Sequence, residues 1–387
     1  MVTLSSADNA LKSFYLEAIT DSLDKKVSPF FSKIEKTSVN VTGKDVKKVV
    51  RTGINNGVGV GTETGDLPTA GEGNYIALTS TLKNMYGTIE ISDKAIRASA
   101  NNEGAFVNLL NDEMRSLVDS AKYHFSRMLF GNGSSLLTYV DDSGKDYLRV
   151  ATTIGLTEGM KVYLLAMNGE AIPGLEYATI SKINRDTKYV YFKEGAIFDG
   201  INMVGGEVYA GQKTDMELTG LGAIFSTKND TLYGQDRNSA YMTPYRASGS
   251  SFSETTLQTA LDKIEESSGS TVNFMVCSYG VRRKIINLFK ENQIALPTME
   301  LEGGFKTISY NGVPIVADRF CPEDTLYLLN TDDFKLHQLC DWQWLEAEDG
   351  KILKQVPGKP VYTATLVKYA ELICERPCGQ GIIENIG

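Results

Sequence analysis

Two runs that read as extended strands, GKDVKKVVRTGI and YIALTSTLKNMYGTIEIS, flank a stretch, GVGVGTETGDLPTAGEG, that has almost no apolar material of its own. Residues 53–75 hold Gly53, Gly57, Gly59, Gly61, Gly65, Gly71 and Gly73 against only Ile54, Val58, Val60 and Leu67. Ordering backbone costs ~1–2 kcal/mol per residue, more than those few side chains offset by burial. A loop of about two dozen residues without a core is expected only where it is functional or rests on another molecule. The spacing therefore predicts a long hairpin whose tip leaves its own subunit and lies over a neighbour. Gly57, Gly59, Gly61, Gly65, Leu67, Pro68, Gly71 and Gly73 form the predicted inter-subunit segment, with the glycines letting the ribbon bend.

Two further elements call for a partner surface. Residues 7–36 read as a helical arm, with Leu11, Phe14, Tyr15, Ala18, Ile19 and Leu23 at helical spacing until Ser28-Pro29 breaks the pattern. Residues 102–130 give the strongest helix signal, with Phe106, Leu110, Met114, Leu117, Ala121, Phe125 and Met128 repeating every three or four residues. Asn101 or Asn102 can cap its start and Gly131 stands just past its end. The result is a rod of about 40 Å with one apolar face.

From about 138 to 215 the texture changes to short β runs such as KVYLLAMNG, YATISKIN and KYVYFKEG, separated by Gly, Asn and Asp turns. This predicts a separable antiparallel barrel or sandwich inserted into the main fold. Residues 219–335 alternate helices (TTLQTALDKIEESSG, YGVRRKIINLFKEN) with strands (NFMVCS, VPIVAD, DTLYLLN). Two β runs, WQWLEAE and VYTATLVKYAELICERP, follow around Asp349-Gly350. The whole reads as α+β.

Composition removes several functions. A net charge of −9 over 387 residues argues against a wide phosphate-gripping face, so any DNA contact is expected to be weak and non-specific. No segment approaches the ~20 apolar residues of a membrane span, and the N-terminus lacks a signal-peptide pattern, so no membrane partner is expected. Cys277, Cys321, Cys340, Cys374 and Cys378 are odd in number and without CxxC spacing, which predicts reduced packing thiols. His124 and His337, the two histidines, have no companion at metal-ligand spacing. The glycines at 57–65 lack a following GK[ST] and a helix, so a flexible loop outweighs a phosphate cradle. Glu346, Glu348 and Asp349 beside Trp342 and Trp344 could be imagined as a sugar-cleaving pair, but a charged hairpin tip explains them more simply. Asp236 and Arg237 read as a local salt bridge, and Lys44, Lys47, Lys48 and Lys83 as solvated charges. No catalytic, cofactor or metal site is expected.

The phrases LKNMYGTIEISDKAI, RMLFGNG, GLGAIF, LYGQDR and YNGVPIVADRFCPEDTLYLLNTDDFKL, in this order of parts, resemble the major capsid proteins of tailed double-stranded DNA bacteriophages with the Hong Kong 97-type fold. The resemblance covers the chain from about residue 10 to the end, outside the β insert. It implies an N-terminal arm at 1–42, with Leu11, Phe14, Tyr15 and Ile19 as its contacts, and an E-loop hairpin with flanking strands at 43–98. A P-domain spine helix follows at 99–137, the inserted β module at 138–218, an A-domain at 219–335, and P-domain return strands with the C-terminus at 336–387. The implied function is structural: self-assembly through hexamers and pentamers into an icosahedral head that encloses double-stranded DNA. Scaffolding protein and portal are the implied partners, and the product is a virion shell assembled in the host bacterial cytoplasm. The chain departs from the fold's namesake in having no long scaffolding region before the arm and no clear match to its crosslinking residues. An encapsulin-like nanocompartment shell is the alternative reading, and a soluble α/β enzyme the third.

Overall fold

The computed structural model describes residues 28–387, apart from 56, 67–68, 95–102, 173–176, 195–197, 199, 251, 292–297, 302–304 and 347–349. The expected arm contacts Leu11, Phe14, Tyr15 and Ile19 lie outside the described residues, as do Leu67 and Pro68. The chain divides into two compact units, one comprising residues up to Ser126 with Ile224–Asp318 and Glu323–Gly387, the other Arg127–Ala223 with Arg319–Pro322.

The first unit contains a seven-stranded mixed sheet in the order Tyr245–Ser248, Gly381–Glu384, Leu326–Leu329, Phe274–Cys277, Val313–Ala317, Phe305–Tyr310, Thr298–Leu301. Its central strands are continuous apolar runs, as sheets covered on both faces require. Helices Glu254–Ser268 and Tyr279–Glu291 supply Leu257, Ala260, Ile264, Val281, Ile285 and Phe289 to the core, joined from the strands by Met275, Ile315 and Leu328. The first of these helices begins where the Ser253 hydroxyl accepts from the Thr256 N–H and ends at Gly269 in the left-handed conformation. The strand Gly381–Glu384, near the C-terminus, joins this sheet. It pairs in parallel with Tyr245–Ser248 and antiparallel with Leu326–Leu329, inside the sheet built by residues 219–335. Its Ile382 and Ile383 are buried there, a demand that only the sheet's open slot reveals.

A second, five-stranded sheet centres on Val361–Cys374. Lys83–Ser92 runs along one edge, from Val361↔Ser92 to Ala370↔Lys83. Phe334–Trp344 occupies the other, from Phe334↔Cys374 to Trp344↔Leu366, so this pairing starts well before the WQWLEAE run from which it was expected. The expected single strand YIALTSTLKNMYGTIEIS is also divided. Buried Leu82 ends Tyr75–Thr81, and Lys83–Ser92 continues in a different sheet.

The long helix spans Glu103–Phe130. Met114 and Phe125 are buried as expected, while Leu117, Ala121 and Met128 are half-buried. Val118 and Leu129, absent from the expected stripe, are buried, so its covered face is turned by about one residue toward 114, 118, 125 and 129. Side-chain burial of Phe106 and Leu110 lies outside the described residues. Leu117 sits over Gly87 of the sheet, where an added Cβ would stand 2.8 Å from its Cδ1. Phe125 meets Phe31 edge-on at 4.9 Å and covers Lys368, a strand lysine only 1% exposed. Lys368 is paired with Asp341, which also takes Lys36 at 3.0 Å. Burial alone would raise the Asp341 carboxyl, but the two lysines outweigh it and bring its pKa down to about 2.

The second unit is a closed six-stranded barrel in the order Tyr189–Phe192, Tyr147–Val150, Leu136–Ser143, Glu207–Ala210, Lys161–Leu165, Tyr177–Asn184. Its interior is filled by its own cluster, including Val140, Leu148, Val162, Leu164, Ile180, Val190, Met203 and Val208. The chain enters through RMLFGNG and leaves through GLGAIF, and these two phrases lie side by side. Glu217 N–H donates to Gly133 C=O, and Ala223 N–H to Gly131 C=O. Gly220 passes so close that a Cβ would stand 2.2 Å from the Met128 carbonyl oxygen, which excludes any side chain. Arg127, buried, forks onto the Glu217 carboxylate and closes the neck.

Candidate assembly surface

The hairpin is laid down by strict alternation. Asp45–Arg51 and Tyr75–Thr81 pair antiparallel from Asp45↔Thr81 to Arg51↔Tyr75, and a short strand Val41–Thr42 adds a third member. Val46, Val50 and Leu78 point to the covered face, while Lys47, Val49 and Arg51 point away.

The root is clamped by the LYGQDR phrase. Thr231–Leu232 and Gln235–Asp236 form a minimal hairpin whose two turn residues, Tyr233 and Gly234, have φ values of 51° and 74°, the primed turn geometry. That turn places the Tyr233 carbonyl to accept from Thr79 N–H at 2.9 Å, and Gln235 Nε2 donates to Ala77 C=O at 2.8 Å. The free edge of Tyr75–Thr81 is thus occupied at its base. The Tyr233 side chain, buried, reaches the second sheet: its hydroxyl donates to Leu372 C=O at 3.0 Å and accepts from Cys374 N–H at 3.2 Å. It takes over that edge just past Ala370↔Lys83, where the Lys83–Ser92 ladder stops. Burial first, then the neighbouring Cys374 and Glu371, hold this hydroxyl protonated well above the usual tyrosine range. Sequence reading missed the clamp; Tyr-Gly between short polar strand ends was its signal. Arg237, paired with Asp236 in expectation, instead sends its guanidinium to the Ile224 carbonyl at 2.7 Å, while the Asp236 carboxylate accepts from Asn238.

A polar layer lies beside the same root. Lys48 pairs with Glu375 at 2.9 Å and Lys335 with Glu35 at 3.0 Å, and Lys83 stands 3.9 Å from Glu371, so Lys48 and Lys83 are not merely solvated. His337, 1% exposed, donates from Nδ1 to the Val39 carbonyl at 2.9 Å. Burial, aided by Lys48 and Lys335, outweighs the opposing Val39 hydrogen bond and Glu375 charge and leaves its pKa below the ordinary histidine value.

Beyond the root the ribbon changes character. Thr52 N–H still donates to Asn74 C=O at 2.9 Å, and the two legs approach until a Cβ on Gly57 would lie 2.7 Å from the Gly71 nitrogen. A turn closes by Gly65 N–H to Thr62 C=O at 3.2 Å. Among the described residues, none from 52 to 75 is buried. Gly59, Gly61 and Gly65 are exposed; Gly57, Gly71 and Gly73 are half-covered by the ribbon itself. Ile54 is 81% exposed, Val58 89% and Val60 103%, and on the outer face below them stand Val49 and Tyr75. Isolated exposed apolar residues are ordinary; here several stand along one ribbon.

The other residues weighed from sequence are accounted for structurally. His124 is half-buried against the Tyr123 ring. Trp342 and Trp344 are buried and offer no open platform beside Glu346. Cys277 and Cys374 are buried free thiols, Cys321 is buried, and burial raises the Cys277 thiol to about 12. The glycines of the tip open no helix; the next described regular element is the strand Tyr75–Thr81.

Comparison with known proteins places this geometry. A family model described as SU10 major capsid protein matches residues 194–351. Among solved structures, the capsid asymmetric unit of cyanophage A-1(L) is similar with a TM-score of 0.56 at 12% identity, covering 98% of this chain and 95% of that one. The SrpI encapsulin from Synechococcus elongatus PCC 7942 gives 0.48 at 10% identity, covering 93% and 89%. The capsid of a native GTA particle gives 0.47 at 11% identity, covering 92% and 89%. No curated protein matches. The likeness to the cyanophage capsid shows that the fold is a capsid-protein fold of the Hong Kong 97 type.

Proposed function

We propose that this chain, a structural major capsid protein of the bacteriophage type and not an enzyme, closes its shell by laying the hairpin tip over a neighbouring subunit. The single observation that carries this reading is the contrast along one hairpin: a root held by Tyr233 and Gln235, and a tip whose Ile54, Val58 and Val60 are left to water. Covering those side chains on an adjacent copy removes apolar surface that the lone subunit has no means to bury.

In this proposal the copies associate as hexamers and pentamers of an icosahedral head that encloses double-stranded DNA, assembled in the host bacterial cytoplasm with scaffolding and portal partners. Residues 1–42 act as the arm, with Leu11, Phe14, Tyr15 and Ile19 as its contacts, 43–98 as the E-loop, 99–137 as the spine, and 219–335 as the axial body. The Arg127–Ala223 unit is an inserted module, supported by its separate core and narrow entry and exit at Gly131–Gly133 and Glu217–Ala223. Contacts with the packaged DNA are weak and without sequence preference, consistent with the net charge of −9. The SU10 match favours the viral shell over the nanocompartment.

The test shortens residues 57–71 to an Asn-Gly turn. The subunit is expected to keep its thermal transition while shells vanish or weaken in electron micrographs and in sedimentation. Normal shells of normal stability from that variant would overturn the proposal.

A further inference from the structure

The two ends of the hairpin carry opposite charge. From Thr52 to Asn74 the sequence holds Glu63, Asp66 and Glu72 and no lysine, arginine or histidine. All three carboxylates are exposed, and none has a cation partner among the described residues. At the root the sign reverses. Lys47 and Arg51 stand on the outward face of strand Asp45–Arg51 beside exposed Val49 and Tyr75, and exposed Lys44 lies in the turn before it. The charges around this face are already matched. Lys48 turns inward to Glu375, Lys83 stands near Glu371, and the clamp segment sets Lys228 and buried Arg237 against Asp230 and Asp236. Asp45 is the single carboxylate within residues 41–51 and 75–83, and it accepts from the Thr81 hydroxyl at 3.0 Å. The outer face thus presents three cations against one carboxylate, and among the described residues none of Lys44, Lys47 and Arg51 has an ion-pair partner.

Given the proposed function, on which this rests, we propose that the acidic tip of one copy seats on the basic outer face of the hairpin root of a second copy. Val58 and Val60 then meet Val49 and Tyr75, while Glu63, Asp66 and Glu72 face Lys44, Lys47 and Arg51. One ribbon cannot satisfy itself in this way. Its legs run side by side from Arg51↔Tyr75 through Thr52 and Asn74 to the close approach of Gly57 and Gly71, which carries the tip away from its own root. The opposite charges and exposed apolar side chains at its two ends are therefore complementary only between copies. Because two different patches meet, the contact is heterologous: each copy offers its tip to one neighbour and its root to another, and repetition closes a ring. The apolar side chains supply affinity. The charges set the register and reject tip-on-tip and root-on-root pairings, in which like charges would be brought together.

The test has two arms, both on the full chain. In the first, isotopically light and heavy copies are mixed, assembled and treated with a zero-length carbodiimide, which condenses a carboxylate with a lysine amine only where the two touch. Peptide mapping is expected to find Glu63, Asp66 or Glu72 of one isotope joined to Lys44 or Lys47 of the other, and to find no such joint in unassembled subunits. Tip carboxylates joined between copies only to other lysines, or to none, overturn the proposal. In the second arm, Glu63→Lys with Asp66→Lys and Glu72→Lys, and separately Lys44→Glu with Lys47→Glu and Arg51→Glu, are each expected to raise the concentration needed for assembly about tenfold or more. All six positions are exposed, so the thermal transition of the subunit is expected to hold. The six changes together in one chain are expected to restore assembly. Assembly untouched by both one-sided reversals, or lost in each and not restored by their combination, sinks the proposal. Shortening residues 57–71 reports separately on the proposed function: if that still abolishes shells, the tip lies over another part of its neighbour and only the tip-on-root contact falls.

Discussion

The root and the tip of the hairpin are made by the same two stretches of chain, yet their side chains meet opposite fates. At the root Val46 and Leu78 are fully buried and the strand edge is occupied by Tyr233 and Gln235; at the tip Val58 and Val60 are exposed. Valine is chemically the same at both ends. The difference lies in what else the chain brings near: buried side chains and a clamping turn at one end, glycine and water at the other. The root therefore belongs to the stability of the subunit, and the proposal assigns the tip to that of the assembly.

The sharpest way to break this division is to excise packing at the root. Leu78→Ala removes a fully buried side chain and is expected to cost the unassembled subunit about 2–5 kcal/mol in a denaturant titration. A loss below about 0.5 kcal/mol would show the root to be as dispensable as the tip.

Tyr233→Phe should come next. It strips the hydroxyl from Leu372 C=O and Cys374 N–H in a buried setting, for an expected cost of about 1–3 kcal/mol. A mobile hairpin in hydrogen exchange, with Tyr75–Thr81 losing protection, is the accompanying signature.

The pH response of the root sharpens the comparison further. The folded-state pKa of His337 lies below its unfolded value of about 6.5, so the unfolded chain takes up this proton first as the solution is acidified. Its contribution is fully present above about pH 6.5 and is lost as pH falls toward the folded pKa. His337→Gln should flatten the decline in melting temperature between about pH 7.5 and 5.5. An unchanged slope would remove His337 from the account.

The smallest effect on the subunit is expected at the tip. Val58→Asp with Val60→Asp should change subunit stability by no more than about 0.5 kcal/mol, because both side chains are already in water. The same pair should impair assembly, read by light scattering of the shell-forming reaction. Unimpaired assembly would mean the apolar tip is incidental.

Much of this was legible in residue order. Alternation in DVKKVVR and YIALTST announced paired strands, helical spacing announced the rod at 103–130, and Gly-rich punctuation marked the stretch that closes into the barrel. The division at Leu82 was not legible, since Tyr75–Thr81 and Lys83–Ser92 share one continuous β texture and only their different partners separate them. The covered face of the long helix was misplaced by about one residue because Leu117, Val118, Met128 and Leu129 are equally apolar and the facing sheet chooses among them. His337 and Lys368 read as polar and were found buried, the first against the Val39 carbonyl and the second against Asp341.

Local chemistry thus determined which segments extend, which coil, and which lack the apolar material to fold alone, because those preferences depend on a residue and its near neighbours in sequence. Tertiary structure alone decided where Gly381–Glu384 would insert and which turn would clamp the hairpin. Each of those outcomes joins residues far apart in the chain. The free energy that selects them comes from edges, cavities and surfaces that exist only once the other elements are in place.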